Sequence, residues 1–199
     1  MTLASTALLL VDLQNDFIHP KGAYARGGQT NADIAALPAR LKPLADAFRA
    51  QGGLVVATLF TLVPGRGGEP IISPDLKALR PFLRKGDFAP SGWGQQLVDE
   101  LASADSTVEK IAYSAFYMTR LEWLLRKCGV ERLYVGGIVT NGGVASTVRD
   151  AHVREFECTV LADGCAAFSP QVHDAAIDGL RPVAKIAAIA EAMHDIGAS

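Results

Sequence analysis

Cysteine is scarce: three in 199 residues, Cys128, Cys158 and Cys165. So small and odd a set gives no disulfide framework, and it points to a reducing, cytoplasmic setting. Neither sign of charge dominates, with 19 Lys+Arg against 21 Asp+Glu and a formal net charge of −2. Nucleic acid and anionic membrane both select strongly basic chains, so neither is an expected partner. Long apolar runs are missing too. Residues 7–11 (ALLLV) are apolar, but they lack a basic flank and run straight into Asp12. A secretory signal needs that flank, and a membrane span needs about 20 apolar residues. The four histidines, His19, His152, His173 and His194, show no metal-ligand spacing, so no metal or other cofactor is expected. There is no GxSxG elbow, no GxGxxG and no GxxxxGK[ST]. Serine-hydrolase and nucleotide-binding readings therefore lack support.

What is present is apolar material in short blocks. Apolar residues make up 49% of the chain, enough for a core without staples, and the length suits a single domain over residues 1–199. Strand-like runs fall at residues 7–11, 54–59, 108–112, 133–139, 159–162 and 183–189. Helix-period segments alternate with them at 32–51, 92–102, 121–128, 144–156 and 172–180. Within the first of these helices Pro38 and Pro43 blur the start, and Gly52-Gly53 marks the stop. Apolar strands alternating with helices predict a three-layer α/β/α domain around a parallel, six-stranded sheet. Residues 61–91, rich in Gly and Pro, form the one long irregular piece, and loops of that length are usually functional or mobile.

Ligands of such sheets bind beyond the carboxyl ends of the strands, where the strand order reverses. Three strand ends carry polar residues. Asp12 follows the first run, and it reads either as a turn-former or helix cap or as a functional carboxylate. Lys110 lies in the third, where a lysine ordinarily points outward and solvates its ammonium. It gains interest only if it meets Asp12, whose charge it would then hold. Gly136-Gly137-Ile138-Val139-Thr140-Asn141-Gly142-Gly143 spans the fourth strand end and the following helix start. By itself this stretch is equally a tight turn or a weak anion site. Gln14, Asn15 and Asp16 read as loop hydrogen-bonders. Cys165 sits in a predicted post-strand loop and is the cysteine placed to face a cleft, although a structural role outweighs a reactive one. Trp93 and Trp123 read either as core or as interface and lid elements.

Taken together these stretches resemble the isochorismatase-like (cysteine hydrolase) superfamily. The resemblance rests on Leu10-Val11-Asp12-Leu13-Gln14-Asn15-Asp16-Phe17, on Lys110 with Ser114-Ala115-Phe116, and on Gly137 through Thr147 with Arg149-Asp150-Ala151. A weaker match is Leu161-Ala162-Asp163-Gly164 with Ser169-Pro170 and His173. It implies a site with Asp12, Lys110 and residue 143 at the chemistry, and Val139, Thr140, Gln14, Phe17 and Tyr113 around the substrate. It also implies a cis peptide at Ile138–Val139, backbone N–H groups of Val139 and Gly143 forming an oxyanion hole, and a dimer or tetramer acting on a small molecule.

Two positions depart from the pattern of the amidase branch. Its nucleophilic cysteine is Gly143 here, which has no thiol. The loop after the second strand, Thr58-Leu59-Phe60-Thr61-Leu62, lacks the Asp/His cluster of metal-binding nicotinamidases. Isochorismatases proper also carry glycine at the first position. The expected activity is therefore acid-catalysed hydrolysis of a vinyl ether such as isochorismate, with Asp12 as the acid beside Lys110. The alternatives are an amidohydrolase of a small C–N substrate with an altered nucleophile, and a catalytically silent ligand-binding relative. Arg66, Arg84 and Lys85 are candidate partners for a substrate carboxylate.

Overall fold

The structure is a computed structural model and describes residues 3–197. Six strands form one sheet: β1 (Thr6–Val11), β2 (Leu54–Phe60), β3 (Ser106–Lys110), β4 (Arg132–Ile138), β5 (Glu157–Ala166) and β6 (Lys185–Ala187). Their order is β3-β2-β1-β4-β5-β6, and every pairing is parallel. All six residues of β1 are buried, as the unbroken apolar run requires of a strand covered on both faces. Leu8 and Leu10 face one helical layer, while Ala7, Leu9 and Val11 face the other. The chain walks outward from β1 through β2 to β3, then returns and walks the other way through β4 to β6. The reversal lies between β1 and β4, at their carboxyl ends.

Two short helices, α1 (Asn15–Ile18) and α2 (Ala23–Arg26), follow β1. The long α3 (Ala32–Ala50) starts where Asn31 Oδ1 accepts from the Ile34 N–H. It runs through both prolines, because Leu37, Leu41, Leu44 and Phe48 give it a continuous buried stripe. The helix stops at Gly52, whose φ of +74° suits glycine. Five more helices are α4 (Pro74–Leu79), α5 (Leu121–Lys127), α6 (Ala145–Val153), α7 (Pro170–Asp178) and α8 (Ile189–Asp195). Among the described residues, no helix is long and apolar enough to cross a membrane.

Two expectations change. Residues 92–102 form turns and a 3₁₀ turn (Asp99–Leu101) rather than a helix. Gly94 packs so closely that an added methyl carbon would lie 1.9 Å from Asp16 Oδ2, and Leu97 makes an antiparallel bridge to Gln14. Leu97 and Leu101 thus reach one core cluster without a helix between them, and Trp93 stays half exposed. β5 extends to Ala166 and absorbs Cys165, whose Cα pairs with Gly137 after a register shift in the ladder. The long irregular piece has a small core of its own, in which Leu62, Leu83 and Phe88 pack with Ala23 and Tyr24. It also holds α4, none of whose residues is buried.

Candidate active site

Asp12, Thr58 and Lys110 come from three neighbouring strands and meet at their carboxyl ends. Asp12 leaves β1 with a left-handed φ of 57°, a conformation that a short acidic side chain tolerates better than most. Its N–H donates to Thr58 Oγ1 at 3.1 Å, and the Thr58 hydroxyl donates back to Asp12 Oδ1 at 2.6 Å. Lys110 Nζ lies 2.6 Å from Asp12 Oδ2. The same ammonium donates to the carbonyls of Ala112 (3.0 Å) and Tyr113 (3.2 Å), so all three of its protons have acceptors. Lys110 is 2% exposed and Asp12 3%, so the outward-pointing reading of this lysine fails. A buried ammonium needs such a full set of partners. Burial raises the Asp12 carboxyl above its ordinary value of 3.8, while Lys110 and Thr58 pull it the other way.

The turn after β4 closes the site from the other side. The peptide between Ile138 and Val139 is cis, as the resemblance implied. Thr140–Val144 then make a π-helical turn that runs directly into α6. β4 approaches β1 so closely here that a methyl carbon on Gly137 would lie 2.1 Å from the Val11 carbonyl oxygen. A methyl carbon added at Gly143 would sit 3.1 Å from Asp12 Oδ2 and 3.0 Å from the Ile138 carbonyl. Residue 143 therefore faces the carboxylate, and a side chain there would press on Asp12, the Ile138 carbonyl and Val11.

A cavity of about 290 Å³ opens over the Asp12–Lys110 pair. Val139 and Gly143 line it, and Phe17, Tyr24, Phe60, Tyr113 and Phe168 give it aromatic walls. Its outer side is formed by Ser73, Asp75, Leu76 and Leu79 of the α4 segment, with Arg80 just beyond the helix. Tyr24 and Phe168 stack with their rings 12° from parallel, and the Arg80 guanidinium lies over both. Arg80 Nε donates to the Tyr24 hydroxyl at 3.2 Å.

Of the residues singled out from the sequence, the structure brings Asp12, Lys110, Gly143, Val139, Phe17 and Tyr113 to this cavity. Gln14 and Thr140 stand behind it. Gln14 donates to the Phe60 and Gln95 carbonyls and accepts from the Phe60 N–H, which commits its amide to backbone groups. Thr140 is buried, and its hydroxyl pairs with His173 Nδ1 at 2.8 Å, tying the π-helical turn to α7. Cys165 points into the core beneath the sheet, with Sγ 3.8 Å from the Val135 carbonyl, and does not reach Asp12. Burial pushes its thiol up to about 12. Arg66, Arg84 and Lys85 do not line the cavity, and Lys85 instead donates to the Gly67 carbonyl. Arg80, Tyr24 and Phe168 were not found from the sequence. Each comes from a different segment, and no local pattern joins them. Among the described residues, no three His, Cys, Asp or Glu side chains could hold a metal ion together.

The chain as a whole is similar to known proteins. The isochorismatase domain matches residues 6–191. The ureidoacrylate amidohydrolase RutB of Pantoea ananatis (strain LMG 20103) is 33% identical over 181 residues, covering 85% of this chain and 72% of that protein. The crystal structure of a cysteine hydrolase from Pseudomonas syringae pv. phaseolicola 1448A superposes with a TM-score of 0.84 at 26% identity, covering 99% of this chain and 94% of that one. N-carbamoylsarcosine amidase from Thermoplasma acidophilum superposes with a TM-score of 0.71 at 25% identity, covering 93% and 96%. On its sequence, matched by the family's domain over nearly its whole length and by an amidohydrolase relative, the chain belongs to the isochorismatase family of hydrolases.

Proposed function

We propose that the chain hydrolyses a small C–N substrate, a carboxamide or ureide, by direct attack of water instead of through a thioester. The observation that carries this is that Gly143, which has no thiol, lines the cavity beside the Asp12 carboxylate, so the carboxylate faces the cavity with no nucleophilic side chain beside it. A water there lies within reach of a base. Asp12 takes its proton as the water oxygen bonds to the substrate carbonyl carbon. The carbonyl electron pair moves onto oxygen, next to the backbone at Val139 and Gly143. Collapse of the tetrahedral adduct returns that pair, breaks the C–N bond and passes the proton from Asp12 to the leaving nitrogen, which departs as ammonia. Lys110 and Thr58 keep the carboxylate aimed throughout. The C–N substrate class is supported by the relatives named as ureidoacrylate amidohydrolase and N-carbamoylsarcosine amidase.

A second reading, acid-catalysed vinyl-ether hydrolysis with release of pyruvate, is favoured by Gly143 together with the raised Asp12 carboxyl. It fits the cavity less well. Isochorismate carries two carboxylates, whereas the lining cations are Lys110, committed to Asp12, and Arg80, with Asp75 as a further negative charge.

The test is ammonia release from a panel of short carboxamides and ureides, with pyruvate release from isochorismate measured in parallel, for the wild type and Asp12→Asn. Ammonia release that disappears in Asp12→Asn is the expected result. Pyruvate release alone would establish the second reading. Neither product from a folded protein would contradict both.

A further inference from the structure

Among the described residues, Arg80 is the cation lining the cavity that pairs with no carboxylate. Its Nε donates to the Tyr24 hydroxyl and its Nη1 to the Leu79 carbonyl, which uses two of the five guanidinium N–H donors. Its guanidinium carbon lies 5.8 Å from the Tyr24 ring centroid and 5.5 Å from that of Phe168, so the stacked pair holds the fork from one side. Lys110, by contrast, has all its protons committed, and its charge is matched by Asp12. The reacting end of the cavity is thus an internally balanced ion pair, while the outer end carries an unmatched, partly immobilised guanidinium. Asp75 also lines the cavity, but it is exposed and sits in the first turn of α4, with Arg80 beyond the last. At helical rise the two are separated by about 7 Å along the axis, and solvent screens the exposed carboxylate.

We propose that Arg80 is a specificity-determining residue and that the substrate is a small monoanion, with its carboxylate on the Arg80 fork and its scissile C–N group at Asp12. The class follows from the chemistry of the two ends. A planar guanidinium with donors to spare matches a carboxylate by paired hydrogen bonds. The aromatic walls between the ends suit a short apolar spacer and offer no third charge. This assignment rests on the hydrolase reading of the same site, yet binding tests it separately from turnover.

The experiment is calorimetric titration of ureido acids with one- to three-carbon spacers, N-carbamoylglycine being the shortest, and of their methyl esters. Wild type, Arg80→Gln and Arg80→Lys are compared, with ammonia release followed on the same compounds. At least one acid should bind wild type about 10-fold or more tighter than its ester, the range of a charge-assisted pair. Arg80→Gln should bring acid and ester within about 2-fold, and Arg80→Lys should keep part of the preference. Equal binding of acid and ester, no binding of any acid, or a preference that survives in Arg80→Gln would overturn the proposal. Should Arg80→Gln fail to fold, the reduced preference of Arg80→Lys decides. Acid-selective binding without ammonia release would leave Arg80 in this role and remove the hydrolytic reading instead.

Discussion

Asp12→Asn takes away the carboxylate and strands the Lys110 ammonium in a site where it is 2% exposed. Activity should fall by at least about 100-fold, the scale of a lost general base. Stability should fall as well, by about 3 kcal/mol, because an unmatched buried charge remains. The double variant Asp12→Asn/Lys110→Met separates the two effects: its denaturation midpoint should recover towards wild type while its turnover stays lost. Gly143 gives the complementary test. In Gly143→Cys the new Cβ meets Asp12 Oδ2 at 3.1 Å and Ile138 O at 3.0 Å, so the variant should lose about 1–2 kcal/mol and gain an alkylatable thiol. Intact mass after iodoacetamide should show wild type labelled at exposed Cys128 alone, since Cys158 and Cys165 are buried with thiols pushed up to about 12. The variant should carry one label more. Asp12 was legible as a candidate because it ends an apolar run, whereas residue 143 stood out only through the family resemblance, since the glycine-rich turn alone reads equally as a plain turn. The buried state of Lys110 was not legible, since a strand lysine shows its direction only once its neighbours are placed.

Among the elements, the segment after β1 is tied down by the side chains of Gln14, Asn15 and Asp16. Gln14 pins the end of β2 through both backbone groups of Phe60 and reaches across to the Gln95 carbonyl. Gln14→Ala should cost about 3 kcal/mol, since buried donors and acceptors lose their partners together. Hydrogen exchange should quicken at Phe60 and across residues 92–97, with β5 and β6 unaffected. Six strands in a parallel sheet could be read from six apolar blocks, because a strand buried on both faces needs no alternation to declare itself. Boundaries were less legible. β3 ends at Lys110 rather than two residues later, and β5 runs on through Gly164 and Cys165. Residues 92–102 had helical spacing without a helix, because Gly94 against Asp16 and Leu97 beside Gln14 impose a path set by tertiary contacts. The outer wall of the cavity escaped for a related reason. Tyr24, Arg80 and Phe168 lie in three separate segments, and only the folded chain joins them.

For the molecule as a whole, the Asp12 carboxyl links stability to pH. Burial raises it above 3.8, so the folded protein holds that proton more tightly than the unfolded chain does. The stability this contributes is fully present below pH 3.8 and is lost as pH rises through the folded value. Asp16 has the same sign, raised by burial against the N–H donors of Phe88 and Ala23. Thermal midpoints across that range should therefore fall more steeply with pH for wild type than for Asp12→Asn/Lys110→Met, which keeps Asp16. Turnover should move the opposite way. A base must be ionised, so kcat/KM should rise with pH along a limb lying above the ordinary carboxylate range, whereas an acid catalyst would lose activity there. The most direct test of a thiol-free hydrolase built on Asp12 is ammonia release by wild type alkylated to completion in its native state, beside untreated Asp12→Asn. Full activity in the alkylated wild type and none in Asp12→Asn is the predicted result. Activity lost on alkylation, or retained without the carboxylate, would contradict the account.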